Sequence, residues 1–265
     1  MEFTKYDSQM AKGIAIIGMV MLHLFCRLGE LPYSPLIWLG DIPLVYYLGL
    51  LGDMCVPIFC FCSGYAHYLL SEEFAKEYKN RIPKKLLRFI CNYWLVVVLF
   101  STVGLILGKQ DIIPKSLSEF LGNIFLYNMS YNGAWWFVLT YIILLLLSPI
   151  LIKLTQKVNA LFLIASSSLL YFVAYILRFN VEIDLNNPVL DWILSQCILV
   201  GTSQFTYVIG LFCRKYRVIS KIHQIQAKHI FTLTGGGYFI GALCYSKCFS
   251  CSIYSIGSVK HIDFV

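Results

Sequence analysis

The sequence predicts an all-α fold: a polytopic bundle of transmembrane helices, about seven spans with an outer interfacial or re-entrant helix. Three observations carry that expectation. Hydrophobic residues make up 58% of the chain and charged residues only 13%, against about 25% charge in a soluble domain. The apolar runs are long enough for helices to cross a hydrocarbon core of about 30 Å, where every backbone polar group must be satisfied within its own element. The basic residues gather between those runs, so the net charge of +7 reads as membrane topology and not as nucleic-acid binding.

Taken in order, the spans are expected near 13–28, 44–70, 89–108, 134–152, 160–178, 192–213 and 229–246. The first run lacks a small-x-small cleavage site and reads as a retained span. The stretch 71–88 carries Lys76, Lys79, Arg81, Lys84, Lys85 and Arg88, and 214–228 carries Arg214, Lys215, Arg217, Lys221 and Lys228. Both belong on the cytoplasmic side, with the N-terminus and its Lys5 and Lys12. The acidic stretch 178–191 suits the other face. The piece SEFLGNIFLYNMSYNG, between 109 and 133, is short and rich in asparagine. Were it to cross, the basic stretch at 214–228 would face out, so it reads as an interfacial or re-entrant helix. With no linker or repeat, one membrane domain over 1–265 is the economical organisation.

Ten cysteines invite a disulfide scaffold. Yet Cys55, Cys60, Cys62, Cys91, Cys197 and Cys213 lie within or at the ends of apolar runs and read as small buried thiols. Cys244, Cys248 and Cys251 have no His partners at metal-ligand spacing, so no metal site is expected.

Lys12 and His23 stand ten residues apart in KGIAIIGMVMLHLF. At about 1.5 Å rise per residue, the imidazole lies roughly 16 Å beyond the lysine. With Lys12 at the membrane face, His23 falls near the middle of the core, where a titratable ring is costly and therefore a functional candidate. An interhelical hydrogen bond is the competing role. Asp53, near the outer end of the second span, is a candidate partner for His23.

In RIPKKLLRFICNYW, Pro83 suits a helix's first turn, and Lys85 and Arg88 are neighbours on one face, as are Lys84 and Arg88. Such cations grip a phosphorylated ligand, or else serve topology and anionic lipid. Pro57 and Gly64 are placed to kink the second span and admit a close neighbour. Ser63 is a nucleophile or a hydroxyl bonded to its own helix, and His67, near the cytoplasmic end, reads as solvated. Trp135 and Trp136 open the fourth span at the outer surface, as an aromatic belt or as a stacking surface for sugar.

Four segments, KGIAIIGMVMLHLF, VPIFCFCSGY, KKLLRFICNYW and AWWFVLTYIILLLLSP, together resemble the acyltransferase-3 group of membrane O-acyltransferases, with QFTYVIGLFCRK similar to a later span. The resemblance covers roughly residues 7–217. It departs from the family's pattern at Lys85, where the family usually has Arg, and at Asn92, where it usually has Pro. The chain also lacks the family's usual last spans, so a truncated or frameshifted product is one expectation.

The resemblance implies transfer of an acyl group, acetyl foremost, from cytoplasmic acyl-CoA to a hydroxyl of a cell-surface or exported glycan. The setting implied is the inner (plasma) membrane of a bacterial cell envelope. His23 would be the general base, or carry the acyl group briefly. Lys12, Lys85 and Arg88 would hold the donor's phosphates, and Trp135 and Trp136 would touch the acceptor. Acyl-CoA is then a donor substrate, with no permanently bound cofactor; a glycan or lipid-linked sugar and the bilayer are the other partners. The alternatives are a non-enzymatic transporter or flippase of lipid-linked sugars, or an inactive truncated acyltransferase.

Overall fold

The computed structural model describes residues 2–26, 33–109 and 111–222. The fold is a helical membrane bundle. Helix α1 spans Lys5–Phe25. A short hairpin, β1 (Trp38–Leu39) with antiparallel β2 (Ile42–Pro43), leads into α2 (Leu44–Leu50). A 3-10 turn, Leu51–Met54, connects to α3 (Cys55–Glu73). Then come α4 (Tyr78–Ile106), α5 (Leu117–Ile124), a 3-10 turn at Gly133–Trp135, α6 (Trp136–Lys157), α7 (Ala160–Phe179) and α8 (Pro188–Lys215). Among the described residues six helical segments are long and apolar enough to cross a membrane. The expected span at 229–246 lies outside the described residues, as do Cys244, Cys248 and Cys251.

Several boundaries differ from expectation for local reasons. Helix α1 begins before residue 13 because Thr4 and Asp7 form a reciprocal capping box: Asp7 N–H donates to Thr4 Oγ1 at 3.2 Å, and Thr4 N–H to Asp7 Oδ2 at 2.8 Å. The second span is interrupted at 51–54, just ahead of Pro57, which has no N–H to offer the Asp53 carbonyl. The basic stretch 71–88 is mostly helix, its turn narrowed to 74–77. Pro83 therefore stands inside α4 and not in its first turn.

Contacts gather into two compact units. Among the described residues, the first takes 2–26, 33–66, 175–182 and 206–222. Here α1 runs antiparallel to the stretch 44–66: Gly18 meets Gly52, Gly49 meets Met21 and Cys26, and Ser8 is hydrogen-bonded with Cys62. Gly64 lies against the Tyr207 carbonyl and Gly210 against that of Phe61, so α3 and the end of α8 touch backbone to backbone, as small residues permit in membranes.

The second unit takes residues 67–174 and 183–205. Its core is Tyr93, Val97, Leu126 and Ile142, with Trp135 and Phe120 packed against them. Helices α7 and α8 are clamped where Ser167 Oγ donates to Gln204 Oε1 at 2.5 Å and Gln204 Nε2 donates to the Ser167 carbonyl at 2.8 Å.

Candidate functional site

In the first unit, Lys12 and His23 share one face of α1. Their separation of eleven positions is about three full turns, so they point within roughly 20° of each other, about 16 Å apart. Gly18, Met21 and Leu22 of α1 pack on the second span. His23 is exposed and not enclosed, and Lys12 is half-buried. The reason is the position of α1 in the unit: of its 21 residues only Ala15 is buried. Lys12 lies near Cys62 of α3 and bears on it electrostatically.

Asp53 sits in the 3-10 turn, and its charge acts on the thiols of Cys26 and Cys55. The antiparallel register (Gly18 opposite Gly52, Met21 opposite Gly49) sets Asp53 level with residue 17, roughly 9 Å along the axis from His23.

The N-terminal segment supplies an anchor that residue-by-residue reading of the sequence overlooked. Glu2 accepts from Arg214 and lies 3.7 Å from Arg217. Phe3 packs edge-on against Tyr65, ring centroids 5.2 Å apart, and the Arg214 guanidinium lies 6.0 Å from the centre of the Tyr65 ring. One carboxylate thus gathers two cations at the same end of the unit as Lys12.

In the second unit, Lys85 is half-buried and Arg88 exposed, three positions apart on α4. Trp135 does not stand at the outer end of that helix. Its ring packs edge-on against Tyr93 at 5.3 Å, the middle of the 29-residue α4. The cause is the segment 107–132, which folds back along α4. Gly104 touches Ile113, Tyr93 Oη donates to the Asn123 carbonyl at 2.7 Å, and Trp94 Nε1 to the Ile124 carbonyl at 3.0 Å. Ten residues of descent along α4 make roughly 15 Å, so the segment carrying α5 folds back beside the second half of α4. Arg88 and Tyr93 are then about 7 Å apart along the axis.

A polar network holds that descent in place. Asn123, fully buried, donates through Nδ2 to the Glu119 carbonyl at 2.9 Å and to Ser130 Oγ at 3.0 Å, and accepts from the Tyr131 N–H at 3.3 Å. Glu119 accepts from Asn128 Nδ2 at 2.8 Å and from Ser130. Tyr131 Oη donates to the Pro114 carbonyl at 2.7 Å. Burial, and then the Glu119 charge, push the Tyr131 phenol above its ordinary range. Trp136 packs edge-on against Phe137 at 5.7 Å, and the Tyr141 ring lies tilted against that of Phe89 at 4.8 Å.

Two further readings are corrected. His67 is buried, its ring 6.2 Å from that of Tyr78; Tyr78 Oη donates to Ser148 Oγ at 2.9 Å. The turn at 74–77 brings α4 back onto the end of α3 and covers the histidine. Cys91 and Cys197 are exposed, because α4 and α8 each present one flank away from their neighbours.

A family model for an acyltransferase domain matches residues 6–260. The chain belongs to the acyltransferase-3 family. It is a multi-pass membrane acyltransferase. No curated protein and no solved structure was found to match it. In this acyltransferase the KGIAIIGMVMLHLF segment forms most of α1, KKLLRFICNYW the first half of α4, and AWWFVLTYIILLLLSP the start of α6.

Proposed function

We propose that residues 1–265 act as one acyltransferase domain. It moves an acyl group, acetyl foremost, from cytoplasmic acyl-CoA to a hydroxyl of a cell-surface or exported glycan. The observation that supports this reading is the match to an acyltransferase domain over residues 6–260, with Lys12 and His23 eleven positions apart on α1. The imidazole stands exposed on the surface of α1, and it is the proposed partner of the acceptor hydroxyl. As the hydroxyl oxygen attacks the thioester carbonyl, His23 takes the hydroxyl proton. The C–S bond then breaks, and the proton passes to the departing CoA thiolate. General base catalysis of this kind contributes typically 10²–10⁴ in rate.

Lys12 in the first unit, and Lys85 and Arg88 in the second, are the candidate donor contacts. Lysine supplies a compact charge and arginine a bidentate fork for phosphate. Trp135 and Trp136 are candidate acceptor contacts, and Asp53 a candidate partner of His23. The enzyme would lie in the inner membrane with its N-terminus on the cytoplasmic side, as the basic stretches require.

The test is acyl transfer by the membrane-inserted protein from labelled acetyl-CoA to native glycan. His23→Ala is expected to lose at least about 10²-fold in rate while accumulating normally in the membrane. Full activity in that variant refutes the assignment. Arg88→Ala is expected to raise the acetyl-CoA concentration needed for half-maximal rate, and an unchanged requirement removes Arg88 from the donor site.

A further inference from the structure

A groove of about 330 Å³ lies between the start of α4 and the last turns of α6, lined by Lys79, Pro149, Ile150, Lys153, Leu154 and Lys157. The α6 residues form one stripe, since positions four apart share a helix face. That stripe changes character along its length. Pro149 and Ile150 are apolar, and Ile150 is 57% exposed; Lys153 and Lys157 follow on the same face. Lys79 brings a third ammonium from α4, and the lining holds no carboxylate. The cations stand where α6 ends, so its carbonyl end adds to their fit at that position but leaves their charge unneutralised.

We propose that this groove binds an anionic phospholipid, the phosphate held by Lys153, Lys157 and Lys79 and the upper acyl chain laid on Ile150 and Leu154. Basic pockets between membrane helices favour such headgroups. The apolar floor argues for a lipid over a free phosphate: an exposed isoleucine directly below two lysines matches the order of groups along a phospholipid. None of the groove residues belongs to the donor or acceptor contacts proposed above, so the site stands apart from that reading.

The experiment is native mass spectrometry of the full chain in detergent, titrated with phosphatidylglycerol and separately with phosphatidylcholine. The wild-type protein is expected to retain phosphatidylglycerol in preference. The double variant Lys153→Gln/Lys157→Gln is expected to lower that preference roughly tenfold or more. Lys109→Gln/Lys115→Gln, which removes the same charge from exposed positions elsewhere, is expected to leave it unchanged. Equal retention of both lipids by the wild type overturns the proposal, as does an equal loss in both double variants. Displacement of phosphatidylglycerol by inorganic phosphate or by coenzyme A at comparable concentration also overturns it, since a soluble anion would then be the occupant.

Discussion

Gly64→Ala isolates the backbone contact between α3 and α8. A Cβ at position 64 would run into the Tyr207 carbonyl oxygen, with the Tyr207 carbonyl carbon at 3.0 Å and the Leu211 nitrogen at 3.2 Å. These are backbone atoms of a helix and cannot swing aside as a side chain does. Overpacking of this kind costs about 1–3 kcal/mol, and a main-chain obstacle belongs at the upper end. Alanine restores about 1 kcal/mol of helix propensity. The net expectation is a loss of about 2 kcal/mol, or a fall of about 4–8 °C in Tm for a chain of this size. Gly13→Ala is the matched control: the same chemical change in α1, where an added Cβ meets nothing within 4 Å, should stabilise by about 0.5–1 kcal/mol. Thermal unfolding of both variants in one detergent, followed by loss of the monodisperse elution peak, measures the difference. A Gly64→Ala protein as stable as Gly13→Ala would refute the close approach of α3 and α8.

Two further outcomes concern the segment 107–132. Asn123→Ala removes three hydrogen bonds at a fully buried position and should cost about 2–4 kcal/mol; a Tm equal to wild type would show that the network does not hold the descent. Tyr131→Phe removes the bond to the Pro114 carbonyl and should cost about 1 kcal/mol at neutral pH. The sign of its pH dependence follows from the raised phenol. Its contribution is complete below the ordinary tyrosine value of about 10 and declines as pH rises through the higher folded-state value. Melting curves across the alkaline range should therefore show a Tm gap between wild type and Tyr131→Phe that closes there, and a constant gap would contradict it.

Much of this protein is legible without coordinates. Helix existence follows from long apolar runs, because lipid leaves the backbone no other partner. The capping signal Thr4–Asp7 is likewise local, and so is the shared face of Lys12 and His23, since both depend only on helical period. What the residues touch is a different matter. Nothing in KGIAIIGMVMLHLF says that α1 packs through Gly18 and not Gly13, or that His23 is left exposed; that depends on Gly49 and Gly52 in a distant segment. Nothing in the motif around Trp135 places it beside Tyr93, because its depth is set by where 107–132 folds back and by Asn123 closing the network there. His67 reads as a solvated end residue until the turn at 74–77 folds Tyr78 onto it. Local period and hydrophobicity decide which segments become helices. Only packing decides which side of each helix faces a neighbour, because that choice rests on the shapes of residues far apart in the chain.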